Sequence, residues 1–307
     1  MANSRLVLVD AYSQIFRAFY AIRELTNSRG EPINALHGFI KIMLKLEREY
    51  PSNSGAVVFD CGRVNFRMDL NPEYKANRKP TPDELKQQVP FIREFLELRG
   101  WPILEECEYE ADDLIAALAV NSDHEVYFLS TDKDLSQIVN PRITQLVPDI
   151  KSSFCERNIE KVNEKFGVPP ELVVDYLALL GDSADNIPGV PGVGNKTAAK
   201  WLQSYGALLP LLENETLITD VKVRAKISEN KELIRKNINL IKLRTDLPER
   251  YKNISGCCCK KAPDYDKLDE FCCRYGLNSI RKELASEAPI PTKEEKAEMV
   301  QDDLFSF

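Results

Sequence analysis

Three short runs of apolar residues, each reaching an aspartate, dominate the pattern of the first half of the chain. They are RLVLVD, which ends at Asp10, GAVVFD, which ends at Asp60, and EVYFLSTDKD, which reaches Asp132 and Asp134. Continuous runs of Val, Leu and Phe of this length are typical of buried strands in parallel or mixed sheets. Helical spacing of apolar residues between these runs predicts helices over 13–22, 36–46, 81–98 and 111–120.

Strands that alternate with helices predict an α/β fold, in which a wound mixed or parallel sheet is flanked by helices. The carboxyl ends of neighbouring parallel strands lie at one edge of such a sheet. Asp10, Asp60, Asp132 and Asp134 are therefore expected to converge there. At 307 residues, the chain is long enough for this body and a smaller helical portion.

Two further clusters of acids lie outside the strands. EYEADDLIAALA places Glu110, Asp112 and Asp113 in the first turn of a helix, and GDSADN contains Asp182 and Asp185. Taken singly, each acid is typical of a helix cap or an Asx-turn. A cap needs one acid, however, and close carboxylates repel one another unless a cation lies between them. The clusters therefore indicate a divalent-cation site.

Carboxylate oxygens suit Mg²⁺ or Mn²⁺, and two such ions can activate a water molecule and stabilise the leaving oxygen of a phosphodiester. His37 and His124 are the only histidines, so no Ser-His-Asp or Cys-His set is predicted.

A basic segment, FRMDLNPEYKANRK, groups Arg67, Lys75, Arg78 and Lys79 around Tyr74. On its own, such a segment is typical of a solvated connection. Beside a metal site, its cations would stabilise phosphate oxygens, and Tyr74 could stack on an unpaired base.

The stretch GDSADNIPGVPGVGNKTA nearly matches a phosphate-binding P-loop. Asn195 separates Gly194 from Lys196, however, and the preceding PELVVDYLALL has helical rather than strand spacing. The glycines are therefore expected to serve a different phosphate-binding purpose.

Composition and charge leave nucleic acid open as a partner. The net charge of −7 argues against it at first, but much of the excess lies in residues 286–307 and in the clustered acids, which leaves a basic body. No stretch is typical of a signal peptide or transmembrane span, so we expect a cytoplasmic protein. Five of the eight cysteines lie in CCCKK and FCCRY without a C-x-x-C pair, which favours reduced thiols over zinc.

Together these motifs resemble the 5′ nuclease domain of bacterial DNA polymerase I in a free-standing form and, more broadly, the flap endonuclease family. The resemblance spans residues 5–285 and is carried by LVLVDAYSQIFRAFYA, VVFD, FRMDLNPEYKANR, EYEADDLIA, STDKDLSQ and GDSADNIPGVPGVGNKTAAKWL. It implies a PIN-like nuclease core over 1–168 with a helical arch at 63–90. It also implies a helix–hairpin–helix subdomain over 169–285 and a disordered tail over 286–307.

The resemblance assigns site residues position by position. The family's metal ligands match Asp10, Asp60, Glu110, Asp112, Asp113, Asp132, Asp134, Asp182 and Asp185, and its arch lysine and arginine, which contact the scissile phosphate, match Lys75 and Arg78. Its DNA-binding hairpin matches Gly189, Gly192, Gly194, Lys196 and Lys200, with K⁺ on the hairpin carbonyls. Arg67 and Tyr74 are added as expected DNA contacts.

Two positions depart from the family pattern. Ala11 replaces a glycine and is expected to crowd the metal loop, and Asn34 stands where many relatives have glycine.

The implied reaction is Mg²⁺-dependent hydrolysis of DNA, or of an RNA primer, near a free 5′ end. Flaps, nicks and recessed ends are the expected substrates, in Okazaki-fragment maturation and DNA repair, and the protein is expected to be a monomer. Two alternatives remain: a PIN-type single-strand ribonuclease, and a DNA-structure-binding protein without catalysis.

The chain ends in QDDLF followed by two residues. This segment resembles the bacterial sliding-clamp-binding motif at Gln301, Leu304 and Phe305. The alternative is that the short match has no function.

Overall fold

A six-stranded sheet forms the centre of the part of the chain that the structure, a computed structural model, describes: residues 5–62, 65–149 and 153–288. Its strands are β1 (Arg5–Asp10), β2 (Ser54–Val58), β3 (Ile103–Leu104), β4 (Glu125–Leu129), β5 (Ile143–Asp149) and β6 (Ser153–Arg157). The strand order is β3-β2-β1-β4-β5-β6. All neighbours are parallel except β5 and β6. The clamp-motif residues Gln301, Leu304 and Phe305 lie outside the described residues.

Helices cover both faces of the sheet and build the second half of the chain. They are α1 (Ala11–Ala21), α2 (Asn34–Glu49), α3 (Asn65–Leu70), α4 (Asp83–Leu98), α5 (Ala111–Asn121), α6 (Ile159–Phe166), α7 (Val173–Leu180), α8 (Asn195–Tyr205), α9 (Leu208–Glu213), α10 (Val221–Glu229), α11 (Lys231–Ile241), α12 (Ile254–Cys257), α13 (Tyr265–Tyr275) and α14 (Asn278–Glu287). A short hairpin of β7 (Gly181–Asp182) and β8 (Ile187–Pro188) connects α7 to α8. Among the described residues, we find no helix with the length and apolar character needed to cross a membrane.

The alternation of side chains along β1 divides the core into two layers. Leu6 and Leu8 pack in a cluster that includes residues of α5 and α7. Val7 and Val9 point to the opposite face and pack with residues of α1, α2, α4 and α13. Because successive strand residues point to opposite faces, a strand that is apolar throughout must be covered on both sides. The predicted α/β fold is confirmed.

The predicted strands and helices around the first two acidic runs agree with the structure to within a few residues, whereas three strands were not predicted. β3 has only two residues, which is too short for a recognisable pattern. β5 contains a proline and several polar residues. β6 is also largely polar, because it is an antiparallel edge strand with one exposed side. Alternation on an edge strand gives a weaker sequence signal than a fully apolar run.

The last two described helices return to the core layer that contains Val7 and Val9. α13 packs on α4, and α14 packs on α2. Two ion pairs, Lys41–Glu283 and Arg274–Glu94, cross this contact. Residues 265–287 therefore support the α/β body, although they fall mostly within the segment expected to form the second subdomain.

The two departures from the family pattern have structural explanations. Ala11 is fully buried in the apolar layer around Ile15, and the expectation that its methyl group crowds the metal loop stays a prediction. Asn34 donates hydrogen bonds of 2.9 Å to the carbonyls of Phe19 and Ile22 at the end of α1. These carbonyls have no partner within the helix, so the asparagine side chain satisfies them.

The hairpin between α7 and α8 depends on the close approach of two glycines. Gly181 has φ +75°, a left-handed conformation that favours glycine. A Cβ atom at Gly189 would lie 2.0 Å from the carbonyl oxygen of Leu180. Glycine at both positions therefore allows the backbone around Gly181 to lie directly against the backbone around Gly189.

We expect Gly189→Ala to lower the free energy of unfolding by about 2 kcal/mol or more, because the clash is with backbone rather than with a flexible side chain. Gly194→Ala is the matched control, since nothing lies within 4 Å of its Cβ position. Its expected loss is at most about 1 kcal/mol, from weaker helix capping. Urea unfolding measures both, and equal losses would contradict this account of the hairpin.

Candidate active site

The carboxyl edge of the parallel strands brings the first group of acids together. Asp10 ends β1, Asp60 lies two residues after β2, and Asp132 lies three residues after β4. Glu110 and Asp112 join them from the start of α5, which follows β3. These five acids line one cavity of about 1340 Å³. Asp10, Asp60 and Asp132 therefore lie at the edge that the strand pattern predicted, and Glu110 and Asp112, from a separate cluster, line the same cavity.

A second group of acids continues from the first. The backbone N–H of Asp134 donates to Asp132 Oδ1 over 2.8 Å. Asp134 also faces the charges of Asp182 and Asp185 from the β7–β8 hairpin. Lys133 pairs with Asp182 and lies 3.8 Å from Asp134. Eight of the nine predicted acids thus form one continuous band.

Asp113 is the exception. It is fully buried, and its two carboxylate oxygens accept hydrogen bonds of 2.6 and 2.7 Å from Arg67. It also accepts from the backbone N–H of Glu110, which makes it part of the cap of α5. Asp113 thus serves in the capping of α5 and in a pair with Arg67, and its predicted role as a metal ligand stays a prediction.

Burial and mutual repulsion raise the pKa values of several acids in the band. Burial raises the pKa of Asp10 to about 7, against hydrogen bonds from Ser130 and Ser13 that lower it. Burial and the charge of Asp132 raise the pKa of Asp134 to about 8. The same two causes raise the pKa of Asp112. These carboxylates are poorly solvated, so a nearby positive charge would stabilise their ionised forms.

The oxygens of the band fit a hard divalent cation, although the site is not fully assembled. Asp112 Oδ1 and Asp134 Oδ1 are buried and have no hydrogen-bond partner. Such an atom is costly unless something satisfies it. Within the described ranges, no three acids are already arranged to hold an ion.

Basic side chains of the protein already engage part of the band. Lys75 Nζ lies 2.7 Å from Glu110 Oε1, and Arg78 pairs with Asp185. The pKa of Asp182 is lowered overall. Burial on its own would raise this pKa, but the hydrogen bond and the positive charge of Lys133 have the larger combined effect. Asp10, Asp60, Asp112, Asp132 and Asp134 therefore remain the acids most open to a cation.

The backbone of the arch segment fixes Lys75 and Arg78 beside the acids. Lys75 has φ +57°, and its N–H donates to the carbonyl of Asp185 over 3.0 Å. Asn77 Nδ2 donates to Ser183 O, and Asn186 Nδ2 donates to Glu73 O, at 2.7 and 2.8 Å. The two asparagines, which sequence reasoning missed, thus join the arch segment to the acidic turn.

Tyr74 is not presented to solvent. Its side chain is buried, and its hydroxyl donates to Glu110 Oε2 and Asp185 Oδ2 at 3.1 and 3.3 Å. Tyr74 also lines the cavity, and its stacking on a base stays a prediction. Arg67 is only 1% exposed, so the prediction that it contacts DNA is wrong for this conformation.

An aromatic stripe along α1 forms a wall of the cavity. Tyr12, Phe16 and Tyr20 lie four residues apart, and all three line the cavity with Arg17. The rings of Phe16 and Tyr20 are 6.3 Å apart and nearly parallel. Tyr20 is 65% exposed, which is unusual for a large aromatic side chain. The helical spacing in AYSQIFRAFYA was the available signal.

The predicted DNA-binding glycines and lysines lie together on the second subdomain. Gly189, Gly192 and Gly194 lie between β8 and α8. Lys196 and Lys200 are exposed on α8 and line a smaller cavity of about 330 Å³. The predicted helix–hairpin–helix arrangement is present, and the contacts of these residues with DNA stay a prediction.

Cys61 and Cys107 form a disulfide, with their Cα atoms 4.8 Å apart. This pair was not predicted, whereas the five clustered cysteines that were expected to be reduced are free. The two cysteines are 46 positions apart, and the sequence between them gave no pairing signal. The bond joins the loop that carries Asp60 to the loop before α5.

Comparisons with known proteins agree with this geometry. Residues 5–167 match the family model of the 5′-3′ exonuclease N-terminal resolvase-like domain, and residues 168–262 match that of the 5′-3′ exonuclease C-terminal SAM fold. The 5′-3′ exonuclease of Aquifex aeolicus is 37% identical over 286 residues, covering 91% of this chain and 94% of that protein. The thermostable DNA polymerase I of Thermus thermophilus is 39% identical over 296 residues, covering 95% of this chain.

Two solved structures share the fold. T5 5′-exonuclease with divalent zinc ions has a TM-score of 0.65 at 23% identity, covering 92% of this chain and 98% of that chain. The catalytic core of Rad2 in complex with DNA substrate has a TM-score of 0.65 at 16% identity, covering 94% and 93%.

The fold and the acidic cavity thus agree with the nuclease class that these comparisons define. The chain belongs to the 5′-3′ exonuclease family. It spans about a third of the length of the polymerase relatives, of which it covers 34% in the Thermus thermophilus protein.

The raised pKa of Asp134 predicts a specific pH dependence of stability. Its carboxyl group titrates near pH 8 in the folded protein, against an ordinary value of 3.8. Between these values, the folded state binds more protons than the unfolded state, so the free energy of unfolding falls as pH rises. In metal-free buffer, we expect Asp134→Asn to gain stability relative to wild type as pH rises from about 5 to about 8. Urea unfolding at several pH values measures this difference, and parallel curves would contradict the account.

Proposed function

We propose that the protein is a structure-specific 5′-3′ exonuclease and flap endonuclease that hydrolyses DNA, and RNA primers, near free 5′ ends. The observation that carries this proposal is the cavity itself. Acids at the carboxyl edge of the sheet and the cations Lys75 and Arg78 line the same space. A phosphodiester there would meet both the metal-binding oxygens and the side chains that neutralise its own charge.

The proposed cofactor is Mg²⁺, with Mn²⁺ as the alternative. Asp10, Asp60, Asp112, Asp132 and Asp134 would hold the ions, with Glu110, Asp182 and Asp185 joining if their lysine and arginine partners move to the phosphate. Two bound ions would supply an activated water molecule and stabilisation of the leaving oxygen. Two solved structures of similar fold support a metal-dependent nuclease acting on DNA, since one contains divalent ions and the other a DNA substrate.

The side chains of the chain itself would orient the substrate. Lys75 is 22% exposed and Arg78 52% exposed, so both can reach the non-bridging oxygens of a phosphate in the cavity. The exposed ring of Tyr20 and the neighbouring Phe16 offer an aromatic wall to unpaired bases. The 3′-hydroxyl and the 5′-phosphate left by in-line attack of water are the expected products.

The second subdomain would hold the duplex. Backbone N–H groups around Gly189, Gly192 and Gly194, with the exposed Lys196 and Lys200, would contact phosphates without reading the base sequence. K⁺ on the hairpin carbonyls is part of this proposal. The proposed substrates and products suit the removal of primers from Okazaki fragments and the repair of DNA. We further propose that the protein acts as a monomer in the bacterial cytoplasm.

A labelled 5′-flap duplex incubated with the protein and Mg²⁺ tests the proposed function directly. We expect cleavage near the flap junction, and none after chelation of the metal. Asp112→Ala removes a buried oxygen that has no partner in the protein, so we expect it to lower the rate by at least about 1000-fold while duplex affinity changes little.

The other outcomes would contradict the proposal. Cleavage confined to single-stranded RNA would indicate a PIN-type ribonuclease. Binding without cleavage would indicate a DNA-structure-binding protein. Unchanged cleavage by Asp112→Ala would exclude that residue from the mechanism.

We also propose that Gln301, Leu304 and Phe305 bind the bacterial sliding clamp. A short tail that holds the nuclease at the clamp would raise its effective concentration at the DNA ends to be cleaved. Removing residues 299–307 should abolish binding to purified clamp, measured by surface plasmon resonance, and leave cleavage of free flap DNA unchanged. Equal clamp binding by the shortened chain would contradict the proposal.

A further inference from the structure

Arg67 is a fully enclosed cation that the proposed chemistry does not use. It lies in α3, at the base of the arch segment, and is 1% exposed. Its two terminal nitrogens donate to the two oxygens of Asp113 over 2.6 and 2.7 Å. This parallel arrangement is the strong bidentate form of an arginine–carboxylate pair.

The pair joins three separate segments of the chain. Arg67 Nε donates to the carbonyl of Leu240 at the end of α11, over 2.8 Å. Asp113 Oδ1 accepts the backbone N–H of Arg244, over 2.9 Å, from the segment that follows α11. The base of the arch, the first turn of α5 and the second subdomain therefore meet at one buried ion pair.

The Arg67–Asp113 pair is connected to the acidic cavity through Glu110. Arg67 Nη1 donates to Glu110 Oε2 over 3.2 Å, and the N–H of Glu110 donates to Asp113 over 3.2 Å. The other oxygen of Glu110 accepts from Lys75 Nζ over 2.7 Å. Arg67 thus holds the side chain of Glu110 directly and its backbone through Asp113, and Glu110 in turn orients Lys75.

We propose that Arg67 is a positioning residue of the reaction, which fixes Glu110, and through it Lys75, relative to the other acids of the cavity. The function requires the planar fork of arginine, since three nitrogens in fixed directions serve Asp113, Glu110 and Leu240 at once. A lysine would keep the charge but lose this geometry. A shift of about 1 Å at a catalytic group can cost about 100-fold in rate. The inference rests on the proposed nuclease function.

The test compares Arg67→Lys with the matched control Arg99→Lys. Arg99 is also buried and joins two carboxylates, Glu47 and Glu287, but it lies away from the cavity. Both variants are expected to unfold at lower temperature than wild type. Single-turnover cleavage of the 5′-flap duplex is measured well below both transitions, and DNA affinity is measured with Ca²⁺ in place of Mg²⁺.

We expect Arg67→Lys to lower the single-turnover rate by about 10- to 100-fold with DNA affinity within about twofold of wild type. Arg99→Lys should cleave at the wild-type rate. Equal rates for all three proteins, or equal losses in both variants, would overturn the proposal, because the residue would then have at most a structural role. If wild type itself does not cleave, the proposed function fails instead.

A second variant keeps the test decisive if Arg67→Lys does not fold. The double change Arg67→Met and Asp113→Leu removes both charges together, and buried ion pairs often tolerate apolar replacement. The folded double variant should still cleave at least about 10-fold more slowly, because Glu110 has lost its hydrogen bond from Arg67. A wild-type rate from it would overturn the proposal.

Discussion

The repulsion among buried carboxylates at the carboxyl edge of the sheet is the constraint on which the rest of the structure depends. Parallel strands deliver Asp10, Asp60 and Asp132 to one edge, and the solvent there is too limited to screen their charges. The fold meets this repulsion in two ways. The pKa values of Asp10 and Asp134 are raised, which favours their neutral forms, and other acids are neutralised by nearby lysine and arginine.

The cations that neutralise the acids come from segments distant in sequence, which explains why the arch segment and the hairpin are fastened to the sheet edge. Lys75 and Arg78 reach Glu110 and Asp185 from the arch, and Lys133 reaches Asp182 from the loop after β4. In the proposed reaction, divalent ions and a phosphate would meet the same charges. The ion pairs within the protein therefore hold the site in position before its substrate binds.

The sequence alone predicts the α/β fold and the converging acids well, because each depends on a local pattern. An apolar run that ends in aspartate identifies both the strand and the position of its acid. Asp113 could not be separated from Asp112 in this way, since the direction of its side chain depends on Arg67, 46 positions earlier. The burial of Tyr74 and the Cys61–Cys107 bond were not predicted for the same reason: burial and pairing are set by tertiary contacts. In the sequence, Tyr74 stands in a segment rich in basic residues, and only the fold places two carboxylates against its hydroxyl.

A crystal structure of the protein with Mn²⁺ tests the central claim most directly, because the anomalous signal of manganese locates each ion without ambiguity. The account predicts ions in the cavity in contact with the carboxylates of Asp10, Asp112, Asp132 or Asp134. It also predicts that Asp113 remains paired with Arg67. Manganese bound to Asp113 with that pair broken, or no manganese at the carboxyl edge of the sheet, would contradict it.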